Sequence, residues 1–346
     1  MKLGLVFGYS GSHIKVPMEL ILEAESLGYD SVFSAEAWGS DAVTPIAWIL
    51  AQTKTIKAGT AIMQMAARSP SMTAMTAMTL DQLSGGRFIL GIGPSGPQVA
   101  EGWYGEAYGR PLTRTREYID IIRQIFKREG PLMHEGYHYQ IPYMGADSTG
   151  LGKPLKSILH GDPTLPIYTG VATEKGAQTA AEVADGAFLV WANPNRYDLW
   201  SPAIERGFSK ASNGKSLDNF DLAPFVRAVM GPDIDACRQE LKSGFALYIG
   251  GMGAREKNFY NDYAARLGYA DAASEIQDLF LTGQKQQACE AVPDQLVDDC
   301  CLVGPEEHIK EQLVSWKDAG RRKEVGTMVI STTQPEVLRV VAETVL

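Results

Sequence analysis

Apolar positions along the chain follow two alternating rhythms. Eight short runs are apolar almost throughout: Leu3–Phe7, Ser31–Ser34, Lys57–Ile62, Phe88–Leu90, Leu165–Thr169, Gly186–Val190, Phe220–Met230 and Thr327–Ser331. Such runs read as strands buried on both faces. The segments between them have helical period. Val16–Leu27 is amphipathic and stopped by Gly28, and Asp41–Lys54 follows with a polar start. Ser69 can cap a helix that carries Pro70 in its first turn and runs to Leu83, where Gly85-Gly86 ends it. Thr113–Glu129 places Ile119, Ile122, Ile125 and Phe126 on one face. Further helices are expected from Thr173 to Ala184, Arg196 to Ala211, Leu302 to Ala319 and Pro335 to Val345.

Eight strands alternating with helices predict a TIM (β/α)8 barrel, which in its plain form takes roughly 250 residues. The chain has 346. The excess falls in two stretches that break the rhythm, about 130–164, rich in Gly, Pro, Tyr and His, and about 232–300, helical throughout. Residues 1–346 are therefore expected to form one barrel domain with two insertions. An open doubly wound sheet fits less well, because the alternation does not divide into two halves. In a barrel, chemistry gathers at the carboxyl ends of the strands, here in loops such as Met63–Arg68 and Gly91–Gln98. The stretches 97–112 and 130–164 are candidate lids.

Net charge sharpens this picture. At −9, with a pI near 5.2, the chain repels phosphate backbones, so a small-molecule substrate is expected rather than nucleic acid. Four cysteines, Cys237, Cys289, Cys300 and Cys301, show no CxxC spacing, which suits a reduced, cytoplasmic setting. No secretory signal or membrane span is evident in the sequence.

Two motifs match literally and fail in context. Gly91-Ile92-Gly93-Pro94-Ser95-Gly96 follows a strand as a dinucleotide fingerprint would. Pro94 and Pro97 stiffen the place where its helix should begin, and no acidic residue closes a second strand downstream. His134-Glu135-Gly136-Tyr137-His138 matches the zinc-protease pattern, but Gly136 and the run to Pro142 favour extended structure or a hairpin. In a strand the two imidazoles would stand about 13 Å apart, too far for one metal. No metal is expected. Trp38, Trp103, Tyr104, Trp191 and Trp200 lie near loop ends, where several aromatics together suit a wall for a planar ligand.

The chain resembles the bacterial-luciferase-like flavin and deazaflavin oxidoreductases, and within them the branch that uses coenzyme F420. The resemblance is carried by Arg68-Ser69-Pro70, Thr79–Arg87 and Leu90-Gly91-Ile92-Gly93, then by Pro166–Gly170 with Ala184-Asp185-Gly186, and by Val303–Glu307 with Asp318-Ala319-Gly320. It implies the barrel fold and a cofactor lying across the carboxyl end. The cofactor's phosphate would rest on Gly170, Val171, Ala172 and Thr173. Gly93, Ser95 and Gly96 would pass beside the ring system, Trp191 and Asn193 would form a neighbouring wall, and Ala61, Ile62 and Gln64 would meet the ring at the third strand end, with a cis peptide at Ala61-Ile62. Members acting on sugars or alcohols carry Asp-His after the second strand; here Glu36-Ala37 stands there, and Gly96 replaces a second family acid. Without that His, the resemblance implies hydride transfer between the deazaflavin C5 and a small substrate, an activated double bond or carbonyl. The proton would come from Glu36, the expected catalytic residue, or from Tyr9, His13 or water. An FMN-dependent luciferase-like monooxygenase and a non-catalytic F420-binding protein are the alternatives. Relatives are often dimers, so a homodimer is expected.

Overall fold

The computed structural model describes residues 1–8, 10–211, 214–253 and 255–346. Eight parallel strands close a barrel: β1 (Lys2–Gly8), β2 (Ser31–Ser34), β3 (Lys57–Thr60), β4 (Phe88–Gly93), β5 (Ile167–Val171), β6 (Gly186–Val190), β7 (Asp221–Met230) and β8 (Thr327–Ser331). Each pairs with the next, and β8 closes the ring on β1 with Leu3 opposite Met328 and Leu5 opposite Ile330. All eight coincide with the apolar runs.

Helices α1 (Met18–Ser26), α2 (Val43–Gln52), α3 (Pro70–Ser84), α4 (Pro111–Lys127), α5 (Glu174–Val183) and α6 (Ser201–Phe208) return the chain between successive strands. The signals read for α3 are the ones that bound it. Ser69 accepts from the Met72 amide at 3.2 Å, Pro70 opens the first turn, and Gly85 takes a left-handed φ of +68°.

Two layers of side chains fill the molecule. The larger lies between sheet and helices. The smaller lies inside the ring, where Val6, Phe33, Ile89, Tyr168, Phe188, Ala223 and Val329 meet. Phe188 is its centre, edge-on to Phe33 with centroids 5.1 Å apart and stacked on Phe225 at 5.3 Å. Beneath it, at the amino end of the strands, the Tyr168 and Thr327 hydroxyls donate to Asp221 Oδ2 at 2.8 and 2.6 Å. The barrel is thus plugged from below, and only its carboxyl end is available to a ligand. At that end β3 and β4 approach closely: a Cβ on Gly91 would stand 1.8 Å from the Thr60 carbonyl oxygen.

The insertions differ from each other. Residues 130–164 form a hairpin, His134–Glu135 antiparallel to Gln140–Ile141. Glu117 of α4 accepts from the amides of Tyr137, His138 and Tyr139 at 2.9, 2.9 and 3.1 Å. Gln82 of α3 donates to His160 O at 2.6 Å. This segment, read as a candidate lid, is strapped to the outer helices, and its HExxH run is a hairpin and not a helix. The second insertion starts with α7 (Ile234–Gly251) and continues, among the described residues, through five shorter helical segments to Cys300. It packs against the carboxyl end beside β6.

One element departs from expectation. Leu302–Gly304, read as the opening of a helix, is a strand that extends the sheet beside Ala228–Met230 of β7, and the helix starts at Glu306. Three residues are too few for a period to show. All four cysteines are free, and among the described residues no helix is long and apolar enough to cross a membrane.

Candidate active site

The third strand ends in a sharp feature. The Ala61–Ile62 peptide is cis, and the Ile62 side chain lies over two glycines of the neighbouring strands. A Cβ on Gly93 would stand 2.9 Å from Ile62 Cδ1, and one on Gly170 would stand 3.4 Å from Cγ2. Glycine at both positions leaves the strand ends of β4 and β5 as bare main chain beside an apolar knob. That is the surface a flat ring system needs, and it brings Ala61, Ile62, Gly93 and Gly170 together.

Beyond the knob, Met63–Gln64 pairs with Ile92–Gly93 as a two-residue strand. Its position is fixed by Glu36, whose side chain is 3% exposed. One carboxylate oxygen accepts from the Gln64 amide and from Arg68 Nη1, both at 2.7 Å, and the other accepts from the Ala42 amide at 2.9 Å. The Gln64 amide group donates back to the carbonyls of Glu36 and Ala37 at 2.9 and 3.1 Å. Gln64 Oε1 is left buried without a partner among the described residues, an unanswered acceptor at this corner. Burial works against the Arg68 charge, but the hydrogen bond and charge of Glu36 outweigh it and raise the Arg68 pKa. Tyr118, buried in α4, completes the chain by donating to Arg68 O at 3.1 Å. Expected from sequence as a proton source, Glu36 instead has its lone pairs committed to three donors. The geometry makes it an acceptor that positions the Gln64 segment.

Over this corner lies the 97–112 loop. The Tyr108 hydroxyl donates to Ser95 O at 3.2 Å, and Ser95 sits at a left-handed φ of +61°. Gly96 precedes the short helix Pro97–Ala100. Tyr104 is half-buried, and its phenol makes no hydrogen bond with a described residue. Burial, together with the negative charges of Glu36 and Asp41 and against that of Arg68, raises its pKa above the ordinary phenol value. At neutral pH it is a proton donor. His13 is exposed, and Tyr9 lies outside the described residues.

Across the mouth, α5 begins at Thr173. Its hydroxyl accepts from the Gly176 amide at 3.0 Å, which leaves the other first-turn amides and the positive helix end for an anion. Arg266, from the second insertion, reaches the same place and pairs with Glu174 at 3.1 Å. Gly170 and Ala172 line this approach, but the Val171 side chain points into the core beneath the helices, so only its backbone could serve a ligand.

After β6, Trp191 holds a left-handed φ of +48°. It stacks on Phe245 of α7 at 4.9 Å and packs near Tyr248 and Tyr260. The Tyr263 hydroxyl and the Cys300 thiol both donate to its carbonyl at 3.2 Å. The insertion therefore builds one aromatic wall of the mouth. Asn193 is less free than expected, since its Oδ1 caps the Asn195 amide at 2.9 Å. Trp200 packs in the core on Tyr263, while Trp38 and Trp103 are exposed.

An apolar hollow of about 310 Å³, lined by Ile14, Val16, Thr44, Pro45 and Trp48, opens on the rim beside α2. It has neither a glycine floor nor an anion partner, so the knob and glycines of β3–β5 are the better candidate.

The sequence reading missed Arg68 as a site residue, along with Phe245, Tyr248, Tyr260 and Arg266. The insertion residues left no signal, because their helical period does not say which face meets the barrel.

Comparison with known proteins bears on the family and the fold. A family model described as "Luciferase-like monooxygenase" matches residues 6–323. The "Putative coenzyme F420-dependent oxidoreductase Rv3520c" of Mycobacterium tuberculosis is 43% identical over 98% of this chain and 97% of that protein. The 5,10-methylenetetrahydromethanopterin reductase of Archaeoglobus fulgidus is 26% identical over 100% of this chain and 99% of that one. Among solved structures, the coenzyme F420-dependent tetrahydromethanopterin reductase of Methanopyrus kandleri superposes with a TM-score of 0.77, covering 99% of this chain and 98% of that chain at 23% identity. Family match, barrel and full-length similarity converge: this chain belongs to the luciferase-like monooxygenase family.

Proposed function

We propose that the protein is an oxidoreductase that uses coenzyme F420 to pass a hydride to a small substrate with an activated double bond or carbonyl. The observation that carries this reading is the glycine floor under the Ile62 knob. It sets an apolar side chain beside main chain without side chains at the carboxyl end of the strands, where chemistry gathers in a barrel of this kind. The similarity to a protein named for F420 favours the deazaflavin over FMN.

When bound, the deazaflavin supplies the hydride through its C5. The chain supplies the rest. Ile62 would support one ring face, and Gly93 and Gly170 would let the backbone come close. Gln64 would offer its free Oε1 as an acceptor. The start of α5, with Arg266 beside it, would hold the phosphate by amide donors and positive charge. Trp191 bounds the far side, and the 97–112 loop keeps water from the substrate. Glu36 and Arg68 keep the Gln64 segment in register. The Tyr104 phenol gives its proton to the substrate atom that gains negative charge, and solvent restores it.

Fluorescence titration tests the cofactor choice. F420 is expected to bind with a Kd on the order of 1 μM or tighter, and FMN far more weakly. Tight FMN binding with no response to F420 would reverse the assignment. Turnover of any enone or quinone with reduced F420 excludes the cofactor-sequestering alternative. With such an acceptor, Tyr104→Phe should cut turnover by about 10²-fold and leave F420 affinity unchanged. Full activity in that variant removes Tyr104 as the acid.

A further inference from the structure

Arg227 has no task in the fold. In β7, Leu222, Val226 and Ala228 pack outward beneath the helices, while Ala223 and Phe225 belong to the barrel interior. Alternation along the strand places Arg227 on the inner side, one step above Phe225. Its ladder neighbour is Ser331, the last residue of β8, so it stands at the carboxyl end of the ring. It is partly buried.

Space for the guanidinium is built in. A Cβ on Gly244 of α7 would stand 2.5 Å from Arg227 Nη1, so the guanidinium lies directly against the bare face of that helix. The next residue, Phe245, is the stacking partner of Trp191. The guanidinium therefore lies at the foot of the aromatic wall, inside the mouth.

Several other partly buried arginines have carboxylate partners, among them Arg68 with Glu36, Arg116 with Glu182, Arg238 with Asp298 and Arg266 with Glu174, and Arg87, Arg114 and Arg128 donate to backbone carbonyls. The Arg227 guanidinium makes no hydrogen bond or ion pair with any described residue, although the chain carries a net charge of −9. The guanidinium therefore keeps its five donors free for a ligand that enters the mouth.

We infer that Arg227 anchors a carboxylate on the substrate, and so the substrate of the reaction proposed above is a small organic acid whose body lies along the Trp191–Phe245 wall. The planar fork of arginine suits the two oxygens of a carboxylate. The inference rests on the hydride-transfer reading, and its test does not depend on turnover.

Isothermal titration of the full chain with trans-cinnamate, with uncharged cinnamamide and, separately, with F420 reads the three questions apart. The wild type should bind cinnamate at least about 10-fold more tightly than cinnamamide. Arg227→Met should lose about 30-fold for cinnamate, as expected when a charge-assisted pair is removed, with cinnamamide and F420 unchanged. Arg227→Lys, which keeps the charge, should fall between and serves if the methionine variant does not fold. Equal cinnamate affinity in wild type and variants, or no preference for acid over amide in the wild type, overturns the inference. A loss confined to F420 would assign Arg227 to an anionic group of the cofactor and also overturns it. Failure of the wild type to bind F420 counts against the proposed function alone.

Discussion

Arg68→Met is expected to lower folding stability by about 3–5 kcal/mol, because it leaves a buried carboxylate without its counter-ion. Glu36 is almost fully enclosed, and Arg68 Nη1 is its only cationic partner among the described residues, at 2.7 Å. Two backbone amides remain, which hold the carboxylate in place but do not neutralise it. The double variant Glu36→Gln, Arg68→Met should recover much of the loss, since no charge is then stranded. Chemical denaturation of the four proteins gives the coupling as a double-mutant cycle. A cost below about 1 kcal/mol for Arg68→Met would mean that the pair is solvated and ordinary, and the account of Glu36 as an anchor would fall with it. The same variant should weaken F420 binding, because Gln64 and the knob before it depend on this carboxylate.

Gly93→Val is expected to weaken F420 binding by about 100-fold, close to 2.7 kcal/mol. A Cβ at this position already meets Ile62 Cδ1 at 2.9 Å. The two further methyl groups would displace the Ile62 side chain, which the proposal sets against the ring. Gly170→Ala is the milder comparison, because its Cβ meets Ile62 at the ordinary distance of 3.4 Å. Affinity measured by F420 fluorescence, beside a thermal melt to confirm folding, separates ligand exclusion from damage to the barrel. Undiminished binding in Gly93→Val would show that the ring lies elsewhere.

Much of the fold was legible because buried parallel strands are written in runs of apolar residues, and every one of the eight runs is a barrel strand. Signals that act locally were also readable, as at Ser69, Pro70 and Gly85, where cap, first turn and stop each depend on one residue. Leu302–Gly304 was not readable, because its pairing with β7 is set by position in the fold and not by its own three residues. The site divides the same way. Ile62, Gly93 and Gly170 follow the strand ends and could be placed from them. The role of Glu36 could not, since which donors surround a carboxylate is decided by the approach of Ala42, Gln64 and Arg68 from three different segments. Trp191 was found as an aromatic at a strand end, but the partners that hold it come from an insertion more than fifty residues away, whose packing face no periodicity reveals.

A crystal structure with F420 bound tests the central claim most directly. The account places the deazaflavin ring against Ile62, over Gly93 and Gly170, with its phosphate at the start of α5 beside Thr173. A ring seated in the rim hollow by Trp48, or a phosphate held away from that helix start, would contradict it.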